Sequence, residues 1–584
     1  MMYLYRLFSD MIKKILTAVF LISISQGAFA QAAADGFFAT RFVAQKKYLQ
    51  LPVSNAATDR VLEVWQQDTR VRWFDIGLSD APPDWFAYLD IEPWKGQELE
   101  LRFKKQEGER PGFKIVQSDR DTNRGPLYQE ALRGQIHFSP KRGWNNDPNG
   151  LAYYKGEYHL FFQYNPYALK PGNMAWGHAT SPDLVHWKQQ EIALYPDRTG
   201  IMFSGSGVVD SMNTSGLGSK EHPPLVLFYT AAVDTWSQGL AYSLDGRNFK
   251  KLGNPVLDKI IEGNRDPKVI WHAPTKKWVM VLFAVGEARE NIMFIYTSAD
   301  MKRWTFASKV LGGRMADRYL HECPEFYEIA VEGKPHLKKW ILAGGNGEYA
   351  IGSFDGKTFR PEAERLSYQY GRGYYAGQTF NNVPGGRRIE VGWWQPVTST
   401  AGMPFNQSMS IPGEIRLVET PAGLRLHRTP VKELQALRAQ TRSFNGVTIT
   451  EQSKNPFDGI RTDLAEIRMD VDVQNAQAVV MDLRGVSLRY NVKMEELMID
   501  EIALRVPAPL NKGRLEMTIY MDRTGMEVFV NNGQSYIPLP LNHLPVKLTP
   551  DRLDCQVRVA GGTACFSRLE FYELKSIWQT QESF

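Results

Sequence analysis

The chain has 584 residues, and 69 basic against 64 acidic side chains leave a formal charge of +5, too small an excess for a nucleic-acid binder with a dominant basic patch. At roughly 100–200 residues per domain the length predicts two to four domains, and a 43% apolar, 23% charged composition excludes a wholly disordered or collagen-like chain. The 15 Trp, 25 Tyr and 30 Phe favour β-structure and suit flat ligands with C–H faces such as sugars.

Residues 1–30 read as a signal peptide. Lys13 and Lys14 precede an apolar run from Ile15 to Ile24, and Ala28-Phe29-Ala30 supplies an A-x-A site, with cleavage near Ala30/Gln31. A membrane span needs about 18–20 apolar residues, more than this run offers. The expectation is a secreted or periplasmic protein with no membrane span.

Residues 35–125 read as a small β-sandwich-like module, with alternation from Val61 to Trp65 and from Glu98 to Phe103. Four tryptophans (Trp65, Trp73, Trp85, Trp94) fall within it. Core packing is the first reading of these rings and a sugar platform the second. The polar stretch Gln117 to Gly125 reads as a linker.

From 134 to 427 a β unit recurs. Asp147, Gly205, Asp266, Glu322 and Gly377 each sit in a short turn-like motif just before or within a strand-like segment, at intervals of 58, 61, 56 and 55 residues. Strand, polar turn and aromatic-rich strand follow most of them, as in Leu151 to Gln163 and Val269 to Phe283. Such a period predicts a five-bladed β-propeller whose first strands line a central channel. Thr429-Pro430 then offers an N-cap and first helical position, and Val431, Leu434 and Leu437 have helical spacing, so a linker helix is expected over 428–442. Alternation from Ile467 to Val473 and from Leu515 to Met521 predicts a C-terminal β-sandwich over 445–578. The fold class is all-β. Gly561-Gly562 looks like a two-residue hairpin turn. In that register Cys555 and Cys565 point to opposite faces, so no bridge is expected.

No phosphate-binding loop, zinc spacing or Ser-His-Asp signature emerges, so no metal and no cofactor are expected. Three acids stand in suggestive settings: Asp147 within Trp144 to Gly150, Asp266 within Arg265-Asp266-Pro267, and Glu322 before Cys323-Pro324. Each alone is ordinary turn chemistry, but all three share one phase of the repeat. Carboxylates crowded at one channel raise at least one pKa, which suits glycosidic bond cleavage by a paired acid and base or nucleophile.

Trp144 to Gly150, Phe203 to Ser206, Arg265 to Pro267 and Glu322 to Pro324 resemble the motif blocks of glycoside hydrolase family 32, the invertases, inulinases and levanases. Trp176 to Trp187, Pro430 to Arg438 and Tyr520 to Phe529 are similar to further stretches of that family, so the resemblance runs from about His137 to Leu574. It implies a five-bladed propeller plus a sandwich and a fructan or sucrose substrate. By the same resemblance Asp147 is the nucleophile, Glu322 the general acid/base and Asp266 a transition-state stabiliser. Trp144, Asn145, Asn146, Gln163, Trp176, Phe203, Ser204 and Arg265 would bind substrate. An ionised Asp147 is expected to keep Glu322 protonated near neutral pH. In the fifth-blade segment Gln369 and Gly373 stand where the family often has acids, leaving Arg372, Tyr374 and Tyr375 for contacts at the channel mouth. The rival readings are a fructosyltransferase and a non-catalytic fructan-binding protein; the expected assembly is a monomer or homodimer.

Overall fold

The computed structural model describes residues 36–104, 112–121, 127–314, 317–399, 402–499, 504–543 and 552–578, and the expected signal peptide lies outside them. The chain divides between Asp121 and Thr122 into two units.

In the first unit, strands β1 (Phe37–Val43), β2 (Tyr48–Val53), β3 (Arg60–Gln66), β4 (Thr69–Ile76), β5 (Trp85–Asp90), β6 (Glu98–Lys104) and β7 (Val116–Ser118) form two sheets, ordered β1-β6-β3-β4 and β5-β2-β7. Leu62, Val64, Leu99, Leu101 and Phe103 alternate inward with Leu49, Leu51, Ala87 and Leu89 as a buried core. Of the four tryptophans only Trp85 is buried, at 4% exposure. Period-two alternation puts Trp65 on the side of Glu63, opposite Leu62 and Val64, and Trp73 pairs with Glu63, which corrects the core reading for both; Trp94 ends a 3-10 helix that buries none of its residues. The linker expectation is corrected at its start, because Gln117 lies in β7 and its Oε1 accepts from the Gln45 and Lys46 amides at 2.7 and 3.2 Å.

The second unit contains five groups of strands in chain order. They are β8 (Gly143–Tyr154), β9 (Glu157–Asn165), β10 (Ala175–Ser181) and β11 (Lys188–Gln189); β12 (Ile201–Val209), β13 (Leu225–Ala232), β14 (Ser237–Ser243) and β15 (Lys250–Lys251); and β16 (Arg265–His272), β17 (Lys277–Val285), β18 (Glu290–Ser298) and β19 (Thr305–Arg314). Next come β20 (Glu325–Val331), β21 (Lys334–Ala343), β22 (Glu348–Phe354) and β23 (Phe359–Ser367), followed by β24 (Tyr374–Thr379) and β25 (Ile389–Trp394). Short β26 (Phe405–Asn406) and β27 (Ser408–Met409) precede β28 (Gly413–Thr420) and β29 (Gly423–Pro430). The last two groups share one sheet through a single parallel pair, Val331 with Leu417.

Side-chain and backbone links run from the first strand of each group to the next. Asn149 Oδ1 accepts from Gly205 N at 3.2 Å, and Ser206 Oγ donates to Pro267 O at 2.7 Å. The buried Lys268 Nζ donates to Glu325 at 2.8 Å, and Glu325 accepts from Thr379 N at 3.0 Å. Asn381 N donates to Leu151 O at 2.9 Å, returning to β8. Apolar cores fill the spaces between successive sheets: Phe161, Trp176 and Leu227; Phe228, Val269 and Met280; Phe283, Phe326 and Leu342.

The expected helix over 428–442 is a six-residue 3-10 helix, Lys432–Leu437, burying Leu434 and Leu437. Thr429 and Pro430 end β29 instead of capping a helix, because Glu414 and Gly413 of β28 pair with them.

Beyond it two sheets face each other. One has strands Arg438–Ser443, Val447–Thr450, Ala465–Asp472, Arg514–Asp522, Gly525–Val530, Ser535–Pro540 and Thr563–Leu574; the other has Ala478–Leu483, Val486–Asn491, Glu496–Ile499, Leu504–Pro507 and Cys555–Ala560. Ile467, Met469, Met481, Leu488 and Met517 are among the side chains that fill the space between them. The hairpin expected at Gly561-Gly562 is a change of sheet: Cys555–Ala560 pairs with Ala478–Leu483, whereas Thr563–Leu574 pairs in the other layer. The φ angles of 63° and 131° at the two glycines permit that crossing. All three cysteines are free.

A buried charged cluster joins sandwich and fifth group. His137 Nδ1 meets Asp522 Oδ2 at 2.7 Å and its Nε2 meets Glu527 Oε1 at 2.8 Å. Arg428 reaches Glu390 at 3.2 Å and Glu527 at 3.4 Å, and the Tyr374 hydroxyl donates to Glu390 at 2.6 Å. The end of the chain returns to this place: Trp578 stacks on Tyr128 at 4.0 Å and its Nε1 donates to Gly134 O at 2.8 Å. No helix of the described residues is long and apolar enough to cross a membrane.

Candidate active site

The motif residues lie where ladders are broken. Register shifts fall between Asn145 and Pro148 in β8, Phe203 and Gly205 in β12, Arg265 and Lys268 in β16, and Tyr375 and Gln378 in β24. An extra residue at a bulge bends the strand and re-aims its side chain. Asp266, Glu322 and Cys323 moreover hold left-handed φ values of 64°, 30° and 43°, costly for non-glycine residues and retained here at three adjoining positions.

These distortions converge on a cavity of about 170 Å³ lined by Asn146, Asp147, Gln163, Met174, Phe203, Ser204, Arg265, Asp266, Glu322, Tyr375 and Trp393. Ser204 Oγ donates to Asp147 Oδ2 at 2.7 Å, and Gln163 Nε2 donates to Ser204 Oγ at 3.3 Å. Cys323 joins two acids: its Sγ lies 3.5 Å from Asp147 Oδ2 and 3.5 Å from Asp266 Oδ2, and its amide donates to Asp266 Oδ2 at 3.0 Å. Glu322 is gripped at both oxygens. Arg265 donates to Oε2 from Nε at 2.9 Å and NH2 at 2.6 Å, while the Tyr375 hydroxyl donates to Oε1 at 2.7 Å.

Electrostatics separates the three acids. Burial pushes the Asp147 carboxyl up to about 7; the Ser204 hydrogen bond opposes this and the charges of Asp266 and Glu322 add to it. Burial also raises Asp266, against the pull of Arg265. Burial alone would raise Glu322 too, but the Arg265 charge and the Tyr375 and Arg265 hydrogen bonds outweigh it and hold Glu322 below its ordinary value. This reverses the expectation that Glu322 carries the proton in the free protein. The cause is a cation on one acid and burial of the other.

Eight expected residues line the cavity together: Asp147, Asp266, Glu322, Asn146, Gln163, Phe203, Ser204 and Arg265. Three stand behind it. Trp144 packs edge-on against Trp393 at 6.3 Å, Asn145 is fully buried, and Trp176 is fully buried with its Nε1 donating 3.0 Å to Phe203 O. None of the three is among the residues that line the cavity, and the β8 bulge turns Asn146 and Asp147 to it. Asn146 Oδ1 and Gln163 Oε1 are buried at the cavity with no hydrogen-bond partner among the described residues. Such orphaned acceptors are suited to ligand hydroxyls. Of the fifth-segment candidates Tyr375 reaches the site, Tyr374 is committed to Glu390, and Arg372 is exposed. Met174 and Trp393 complete the lining without having been singled out, and the Cys323 thiol, next to Glu322 in its motif, lies against two of the acids.

Acids with split affinities for a proton, fixed at one cavity on an all-β scaffold, are the equipment of a glycosidase. Residues 137–430 match the glycosyl hydrolases family 32 N-terminal domain and residues 433–537 the family 32 C-terminal domain. The chain belongs to glycosyl hydrolase family 32. It is 36% identical over 498 residues to a levanase of Bacillus subtilis, covering 78% of this chain and 72% of that protein. It is 29% identical over 528 residues to an extracellular exo-inulinase of Aspergillus awamori, covering 77% and 96%. The crystal structure of exo-inulinase from Aspergillus awamori superposes with a TM-score of 0.68 at 27% identity, over 77% of this chain and all (100%) of that one. A β-fructofuranosidase from Schwanniomyces occidentalis, solved with fructosyl-erythritol, gives 0.67 at 25%, over 77% and 99%.

Proposed function

We propose that this chain is an exported β-fructosidase that hydrolyses fructosyl bonds of levan, inulin or sucrose with retention of configuration, through a covalent fructosyl-enzyme. The observation that carries this reading is the joint presentation of Asp147, Asp266 and Glu322 on one cavity, each with a different proton affinity. Asp147 attacks the anomeric carbon as the glycosidic C–O bond breaks, and Glu322 delivers its proton to the departing oxygen. Water, deprotonated by Glu322, then releases fructose. Asp266 holds sugar hydroxyls, with Asn146 and Gln163 offering the orphaned acceptors beside it. The reactive form has Asp147 ionised and Glu322 protonated, opposite to the directions in which the free site shifts the two acids. A leaving-group oxygen at Glu322 Oε1 competes with Tyr375 for that site.

The scaffold reading is a five-bladed propeller followed by a sandwich. It is supported by the cycle of links from Asn149 through Ser206, Lys268, Glu325 and Asn381 back to Leu151, and by apolar cores between successive sheets. Export rests on the residue 1–30 pattern, with a mature start near Gln31; N-terminal sequencing of exported protein that finds Met1 overturns it.

Separate digestion of levan, inulin and sucrose, followed by chromatography over time, tests the activity. Fructose alone from the outset means exo action and an oligomer ladder means endo. No hydrolysis of any of the three refutes the reading, and oligosaccharides longer than the substrate would favour a transferase.

A further inference from the structure

The outer face of the β1-β6-β3-β4 sheet in the first unit is built from interleaved rings, guanidinium groups and carboxylates. The register sets Arg41 opposite Glu100, Glu100 opposite Trp65, and Trp65 opposite Arg70, and in the next row Arg102 opposite Glu63 and Glu63 opposite Trp73. Arg102 lies over the Trp65 ring at 4.5 Å and Arg70 over Trp73 at 4.3 Å. Glu63 accepts from Trp65 Nε1 and Arg70 NH1, each at 2.8 Å, and Glu100 accepts from Arg41 Nε at 2.8 Å and from Arg102 Nε.

From this arrangement we infer that the face is a carbohydrate-binding surface that holds a fructan chain, the substrate of the reading above on which the inference rests. Three features select that occupant. Arg41, Arg70, Arg102 and Lys104 balance Glu63, Asp75, Glu98 and Glu100, so the face has no net charge to attract a polyanion such as RNA, whose binding rests on a cationic excess. Its centre is charged where the centre of a protein interface is depleted in charge. And its chemistry complements a neutral polyol. The partly exposed indoles offer C–H/π contact, the NH1 and NH2 hydrogens of Arg102 meet no acceptor among the described residues, and Glu98, the exposed one of the three glutamates, keeps lone pairs for hydroxyl donors. The guanidinium groups hold the rings upright before any ligand arrives, which lowers the ordering cost of binding.

The test uses the full chain carrying Asp147→Asn, so that polymer is not consumed, in native gels containing levan, inulin or dextran. Levan or inulin should retard it and dextran should not. Trp65→Ala/Trp73→Ala, and separately Arg70→Met/Arg102→Met, should each weaken retardation by at least about tenfold, as truncating anchor residues does. Circular dichroism reports whether each pair folds; the arginine pair leaves every core residue in place and carries the test if the tryptophan pair does not. Retardation unchanged in a folded pair, or equal retardation by dextran, overturns the inference. Hydrolysis of the same polymers by the unmodified chain is scored separately, so loss of the binding surface and loss of the fructosidase reading are told apart.

Discussion

Tyr375 donates a 2.7 Å hydrogen bond to Glu322 Oε1, the carboxylate oxygen that Arg265 leaves unoccupied. A hydroxyl donor stabilises the ionised acid, so Tyr375→Phe should raise the Glu322 pKa. Because the free site holds Glu322 low and Asp147 high, the acid limb of the kcat/KM profile should move to higher pH, with turnover retained. A profile superimposable on that of the unmodified enzyme would remove Tyr375 from any role in setting this proton.

Asp147→Asn should lower turnover on every fructoside by at least about 10,000-fold, because no other group replaces the nucleophile. Glu322→Ala should regain activity on a fructoside whose leaving group needs no proton, and Asp266→Asn should cost about 100–1,000-fold through lost hydroxyl contacts. Trapping and mass analysis of a fructosyl adduct on Asp147 checks the covalent step.

The same Asp147 carries a stability consequence. Its folded pKa, about 7, lies above the ordinary 3.8, so ionising it opposes folding. The favourable contribution of its proton is complete below about 3.8 and lost as pH rises through about 7. Asp147→Asn should therefore raise Tm at pH 8, with the gain shrinking as pH falls from 7 to 4. A Tm lower than that of the parent at pH 8 would contradict this.

His137 runs on a different window. Burial disfavours its charge, but Asp522 and Glu527 overcome that and raise the imidazole to about 9. The stabilisation is complete below the ordinary 6.5 and lost as pH rises through about 9. His137→Gln should cost roughly 3–5 kcal/mol near pH 6 by leaving the buried Asp522 without a cation and Glu527 with Arg428 alone. Denaturant melts of both proteins should show the gap narrowing toward pH 9.

Gly373 stands where the family often carries an acid. It has φ 91°, and a Cβ there would overlap Pro540 of the sandwich. Gly373→Asp should destabilise the protein by about 2 kcal/mol or more. An unchanged denaturation midpoint would show that the loop can move aside.

The acids were legible because each is embedded in turn chemistry that recurs at one phase of a long period. The strands were legible because alternation is local. Tyr375 as the partner of Glu322 was not, since 53 residues and four strands separate them. Nor was the outward setting of Trp65 and Trp73. Large rings are read as core, and only the pairing register reveals that they share a face with Glu63 and Arg70. Val431, Leu434 and Leu437 matched an α-helix, but the three-residue period of a short 3-10 helix satisfies the same spacing. At Gly561-Gly562 the dipeptide signalled a turn correctly; which sheet each flank joined depended on distant partners.

The clasp of Trp578 on Tyr128 and Gly134 makes the second unit a loop in sequence as well as in space. Residues that open it, from Tyr128 to His137, find their partners in Asp522, Glu527, Ile577 and Trp578, all near the other end. During synthesis the opening segment therefore waits, with His137 unpaired, until nearly the whole chain has left the ribosome. A ribosome-stalled chain ending before Asp522 should remain sensitive to protease around residue 137, and release of the last residues should abolish that sensitivity in one step.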